Sequence, residues 1–265
     1  QNAFYSACRC LFGAGDEVIV LDPSYVTYEA SIASTGAKQV RVEQPALNGF
    51  RPRIDAIQAA VTPATKGIVF SNPSNPTGVA LRKEELEAIA RLAVDNDLWV
   101  VVDEVYSDLV FEGVHHSIVG MPEMLERTVT VSSVSKSYAM TGWRCGWAVG
   151  PSELGSHLRK MSLINLYGLP GFIMEAANTA LREGAQEIET ARAIYKARRN
   201  LVLEELGKAS EMPLLVPEAG MFLMADVRAH NMNANNFAWD LYRSTGVSVL
   251  DGGAFGSTSK GWVRI

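Results

Sequence analysis

Lys136 closes the run Ser133-Val134-Ser135-Lys136 at the end of an apolar stretch, shortly ahead of Arg144 in Thr141-Gly142-Trp143-Arg144. A lysine carried into a protein interior gives up its proton more readily than one in water, and the free amine can attack a carbonyl. The hydroxyls of Ser133 and Ser135 with the Arg144 guanidinium make an oxyanion cup, because hydroxyls donate hydrogen bonds and the guanidinium fork matches phosphate. A helix starting near Gln1 can add backbone amides to that cup. Taken singly, Lys136 reads as a solvated loop lysine, the serines as turn formers and Arg144 as a surface ion-pair residue. Their grouping makes a covalent anchor beside a phosphate clamp the stronger reading.

Asp103 follows the continuous apolar run 98–102. It can cap a helix that begins at Glu104, or hold a carboxylate against a cationic heterocycle nitrogen. Tyr106 can share that face and offer its phenol to a ring oxygen, or be a core tyrosine. Asn75, in Asn75-Pro76-Thr77-Gly78, can do the same with its amide or simply serve the turn.

The elements around these residues alternate short β-rich runs with helical patterns, which predicts an α/β fold built on a mostly parallel sheet sandwiched by helices. Strands are expected at 18–21, 39–42, 67–70, 98–102, 128–131 and 144–150. Helices are expected at 26–36, 54–61 and 82–96, then at 153–164, 171–183, 184–208 and 234–245. The apolar run 98–102 suits a strand buried on both faces. The loop 71–78 holds two Asn-Pro pairs, so a cis peptide is expected there. In open α/β sheets ligands gather at the carboxyl ends of strands, so the loops after 67–70, 98–102 and 128–131 should converge. A large domain is placed at residues 1–185 and a smaller α+β domain at 186–265.

Bulk properties narrow the function. With 265 residues, 48% of them hydrophobic, the chain can bury a full-sized core. A net charge of −5 argues against nucleic acid or an anionic membrane as the partner. The three cysteines lack metal or disulfide spacing, which points to a reducing cytoplasm. No apolar run reaches the ~18 residues of a membrane span.

A cationic ring, a ring oxygen, a phosphate and a lysine-reactive aldehyde together describe pyridoxal 5′-phosphate. The motifs Asn75-Pro76-Thr77-Gly78, Asp103-Glu104-Val105-Tyr106, Ser133-Val134-Ser135-Lys136 and Thr141-Gly142-Trp143-Arg144 resemble, in order and interval, those of the class I/II aminotransferases. These are fold-type I pyridoxal-phosphate enzymes, and the resemblance runs from Gln1 to Ile265. It implies that Lys136 forms the Schiff base with the cofactor and shuttles the substrate proton. Asp103 would keep the pyridine nitrogen protonated, Tyr106 and Asn75 would bond the ring 3-oxygen, and Ser133, Ser135 and Arg144 would hold the phosphate. Tyr25 takes the position of the aromatic residue that stacks on the ring. Arg264, in Gly261-Trp262-Val263-Arg264-Ile265, takes that of the arginine that grips the substrate α-carboxylate, with Asn75 beside it.

The resemblance also implies a ping-pong exchange of an amino group between an L-amino acid and a 2-oxo acid, in a homodimer. A carbon–sulfur lyase and a non-catalytic sensor domain are the alternatives on the same fold. The stretches 164–171 and 246–256 are similar to arginine–pyruvate transaminases in the superfamily. The family's phosphate loop begins with glycine or serine residues just before the position of Gln1, so the chain reads as a fragment lacking both termini.

Overall fold

The computed structural model describes residues 1–230 and 233–265. Six strands make the main sheet: β1 (Glu17–Asp22), β2 (Lys38–Glu43), β3 (Thr65–Ser71), β4 (Trp99–Asp103), β5 (Thr128–Ser133) and β6 (Gly146–Val149). Their order is β2-β1-β3-β4-β5-β6. All pairs are parallel except the last, β5 with β6.

The strands read as unbroken apolar runs because both faces of the sheet are covered. On one face Ile19, Ile68, Val100 and Val102 meet Leu86 and Ile89 of α4 (Lys83–Asp95). On the other Val18, Val20, Val101 and Val129 meet Phe4 and Cys8 of α1 (Asn2–Leu11) and Ile32 of α2 (Thr27–Ala33). Each such side chain contributes about 1.5–3 kcal/mol when fully buried, against about 1 kcal/mol net for a ladder hydrogen bond. The two apolar layers therefore hold the sheet in place beneath the loops at its carboxyl edge. Those loops start in register, since Ser71 pairs with Asp103 and Asp103 with Val131.

The remaining helices are α3 (Ile54–Ala59), α5 (Ser152–Asn165), α6 (Gly171–Glu183), α7 (Ala185–Ala209) and α8 (Ala234–Thr245). A second, antiparallel sheet of β7 (Leu214–Leu215), β8 (Met224–Asp226), β9 (Leu250–Asp251) and β10 (Trp262–Arg264) has the order β7-β8-β10-β9. It is tied to the first, because Met224 and Trp262 join the same core cluster as Ile19 and Ile68.

The alternative of Asp103 as a helix cap drops out and one expectation is corrected. No α-helix begins at Glu104; Asp103 Oδ1 accepts the Val105 N–H at 3.1 Å, and only a short 3-10 turn follows at Ser107–Leu109. The strand expected from Arg144 starts at Gly146, because Arg144 itself is left-handed (φ 55) at the end of the 3-10 turn Thr141–Trp143. The loop 71–78 does hold a cis peptide, Asn72–Pro73. Buried Asn72 pins that loop by accepting the Leu81 N–H and donating to the His116 carbonyl, both at 2.9 Å. Asn75 is thereby left free to face the cavity described below.

Gly78 ends this loop with φ +70, and its carbonyl accepts the N–H groups of Glu218 and Ala219 at 2.9 Å each. A Cβ here would lie 2.4 Å from Pro217 Cβ and 2.7 Å from the Ala219 carbonyl oxygen. Gly78→Ala is therefore expected to cost about 2–4 kcal/mol, from positive-φ strain and overpacking together. Urea denaturation measures it, and a midpoint equal to wild type contradicts the close packing of the 217–219 crossing.

Candidate active site

The carboxyl edge of β3, β4 and β5 opens into a cavity of about 300 Å³. Tyr25, Asn75, Asp103, Tyr106, Ser133, Ser135, Lys136, Arg144 and Arg264 all line it. They arrive from separate places: the loop before α2, the loops after β3, β4 and β5, the turn before β6, and β10 of the second sheet.

Asp103 ends β4 and is held at both oxygens. The Tyr28 hydroxyl donates to Oδ2 at 2.9 Å and the Val105 N–H to Oδ1 at 3.1 Å. Burial raises the Asp103 pKa above the usual carboxylate value, and these two hydrogen bonds oppose the rise. A carboxylate in that position is incompletely compensated and favours a cation beside it. Burial, and then Asp103 itself, push the Tyr28 phenol well up, so Tyr28 stays a proton donor.

Lys136 follows β5, half-buried, and its Nζ has no hydrogen-bond partner among the described residues. Burial lowers its pKa, the Arg264 and Arg144 charges lower it further, and Asp103 opposes them. The result is an amine biased toward its nucleophilic form. Ser133 Oγ accepts the Ser135 N–H at 3.2 Å. Arg144 is exposed at the cavity mouth and donates to the Thr141 carbonyl at 2.7 Å. Ser133, Ser135 and Arg144 thus share one end of the cavity, with Gln1 and Ala3 at the start of α1.

Arg264 stands at the far side. Its Nη1 donates to Asn75 Oδ1 at 2.8 Å, and its Cζ lies 4.7 Å from the ring centroids of both Phe222 and Phe255. Tyr106 packs edge-on against Phe222, with centroids 5.1 Å apart. Burial followed by the nearby Asp103 charge raises the Tyr106 phenol pKa.

The lining side chains comprise three bases, Lys136, Arg144 and Arg264, and one acid, Asp103. Such a donor set suits a ligand with a cationic ring atom at Asp103, an electrophilic carbon at Lys136 and an anion at Arg144. Arg264 can then take a second anion, so pyridoxal 5′-phosphate with a carboxylate substrate matches the residues present. Tyr28, Phe222 and Phe255 escaped the sequence reading. Tyr28 lies three residues after Tyr25 at the start of α2, a spacing that puts both rings on one side. For Phe222 and Phe255 the sequence offers no comparable signal.

A family model described as "Aminotransferase class I and II" matches residues 2–265. The chain is 45% identical over 265 residues to arginine–pyruvate transaminase AruH of Pseudomonas aeruginosa, covering 100% of this chain and 67% of that protein. It is 34% identical over 268 residues to an aspartate aminotransferase of Pyrococcus abyssi, covering 100% and 69%. Among solved structures, an aromatic aminotransferase from Pyrococcus horikoshii superposes with a TM-score of 0.95 at 33% identity, over 99% of this chain and 71% of that one. Thermus thermophilus aspartate aminotransferase with maleate gives 0.94 at 34%, over 100% and 68%.

Proposed function

This chain belongs to the class I and II aminotransferases, pyridoxal-phosphate-dependent enzymes that move an amino group between an amino acid and a 2-oxo acid, and on that premise we propose how its own residues divide the work. The observation that carries the assignment is the half-buried Lys136 amine, biased toward its neutral form, in one cavity with the half-buried Asp103 carboxylate. When bound, pyridoxal 5′-phosphate supplies an electron sink for negative charge at the substrate Cα.

Lys136 would anchor the cofactor's aldehyde through its amine, and the same amine would serve as the base for the substrate Cα proton. Asp103, oriented by Tyr28 and the Val105 N–H, would hold the ring nitrogen in its protonated form. Tyr106 and Asn75 would bond the ring 3-oxygen, and Tyr25 would pack on the ring. Ser133, Ser135 and Arg144 would hold the phosphate by their hydroxyls and guanidinium. Arg264 forks onto the substrate α-carboxylate beside Asn75. Tyr25, Tyr28 and Phe222 add aromatic surface to the cavity wall beside these charged groups.

The relatives named above are transaminases, and neither the lyase nor the sensor reading gains support from them. The similarity to AruH favours arginine as amino donor and pyruvate as acceptor. With pyruvate as acceptor and a panel of Asp, Ala, Arg, Phe and Tyr, the holoenzyme should form alanine fastest from arginine. Faster turnover of another donor removes the arginine assignment; release of pyruvate and thiol from cystathionine without amino transfer removes transamination. We place the boundary between the two domains at 185/186, where α7 begins. A homodimer is supported by the exposed apolar side chains Leu163, Ile164, Tyr167 and Phe172 near the α5–α6 turn. A cytoplasmic location accords with the sparse free cysteines, and no helix among the described residues is long and apolar enough to cross a membrane.

A further inference from the structure

Asp22 ends β1 outside the cavity and is fully buried. Its carboxylate is spent on one segment of the chain, more than two hundred residues away. Oδ2 accepts the Ser257 N–H at 3.1 Å and the Ser257 hydroxyl at 2.9 Å, and Oδ1 accepts the Thr258 hydroxyl at 3.0 Å. The Arg41 guanidinium stands 3.8 Å from Oδ2. Gly256 has φ +150, and a Cβ on it would lie 1.6 Å from Asp22 Oδ1, so the loop backbone presses directly on the carboxylate. The Ser24 N–H adds a further tie to the Phe255 carbonyl at 2.9 Å.

The segment fixed in this way carries Phe255, which is 3% exposed. Its ring sits 4.7 Å from Arg264 Cζ and shares the guanidinium with Phe222 at the same distance. With Cζ over both rings, the guanidinium is restrained by two cation–π contacts at once. The hydrogen bond to Asn75 Oδ1 is a third restraint.

We infer that Asp22 is a positioning residue for substrate carboxylate recognition: it clamps the 252–259 loop through Ser257 and Thr258, and so holds the Phe255 ring in contact with Arg264. The inference rests on the proposed role of Arg264 as the carboxylate grip. A burial charge of this kind has a structural use as well, in joining β1 to the second sheet. The two uses separate by what they do to ligands that differ only in a carboxylate. A loosened clamp leaves the cofactor contacts at Lys136, Asp103 and Arg144 in place, and misaligns one fork.

The experiment is a spectral titration of the holoenzyme at the cofactor band with two amines. One is 2-methylalanine, which has no Cα proton to transfer; the other is isopropylamine, the same amine without the carboxylate. Asp22→Asn and the gentler pair Ser257→Ala with Thr258→Val are compared with wild type and with Arg264→Lys. In the latch variants the Kd for 2-methylalanine should rise about tenfold, because small misplacements of an oriented group are expensive, while that for isopropylamine stays within about twofold. The Ser257/Thr258 pair keeps the Asp22 carboxyl and the Ser257 N–H bond, so it reports even if Asp22→Asn does not fold. Equal weakening of both amines, or wild-type titration by the Ser257/Thr258 pair, overturns the inference. If Arg264→Lys leaves the preference for 2-methylalanine over isopropylamine intact, the carboxylate-grip reading itself has failed, which is a different result.

Discussion

Lys136→Ala holoenzyme is expected to lose transamination by roughly 10⁴-fold or more, because one side chain supplies both the covalent anchor and the proton shuttle. The loss should fall on turnover more than on cofactor retention. Asp103, Ser133 and Arg144 remain, and they hold the opposite ends of the cofactor without the lysine. Borohydride should fix the cofactor to the peptide containing Lys136 in wild type and leave the variant protein unlabelled. Retention of about a tenth of wild-type turnover by the variant removes the lysine from the chemistry, since a proton shuttle alone contributes about 10²–10⁴.

The same residue gives a pH signature in the cofactor-free protein. Burial first, then Arg264 and Arg144, lower the Lys136 pKa. Its reductive methylation should therefore reach half-rate below the ordinary lysine value of about 10.4, and Arg264→Gln should move that midpoint upward. Between the lowered folded value and the unfolded one, the unfolded chain binds more protons, so stability rises with pH through that window. Lys136→Ala should flatten that rise.

The parts of this site that were legible in the sequence share a physical cause. Strands buried on both faces are written as apolar runs, and a polar residue at the end of such a run stands out. Asp103 and Ser133 announced themselves in this way, with Lys136 and Asn75 on the loops just beyond. The α/β architecture and six of the strands follow from the same pattern. What could not be read depends on contacts between distant positions. Tyr28 meets Asp103, and Asp22 meets Ser257, across separations that no local periodicity encodes. Phe222 and Phe255 look like ordinary core residues until Arg264 is placed between them. Arg144 matches the strand pattern in sequence, yet its left-handed backbone is set by the Thr141–Trp143 turn and carries no glycine to mark it.

Asp103→Asn should reduce turnover by about 10²–10³-fold, the usual cost of removing one electrostatic stabiliser at a reacting centre. An amide cannot hold a proton on the ring nitrogen, so the electron sink is weakened while the cavity keeps its shape. The replacement is well tolerated locally: the Asn Oδ1 can keep the Val105 N–H, and Nδ2 can donate to the Tyr28 oxygen. In the cofactor-free protein the effect on stability has the opposite sign. Burial raises the folded-state Asp103 pKa, so the ionised carboxylate destabilises the fold at any pH above that raised value. The folded protein holds the proton longer than the unfolded chain does, and stability falls as pH climbs from the unfolded value through the folded one. Asn is uncharged throughout. Apo Asp103→Asn should therefore melt above apo wild type at neutral pH, with the gap closing toward acid below the unfolded carboxyl value of about 3.9. Adding pyridoxal 5′-phosphate should reverse the ranking, since the cationic ring then compensates the carboxylate in wild type alone. A variant that melts below wild type both with and without the cofactor would mean that Asp103 serves the fold rather than the ring.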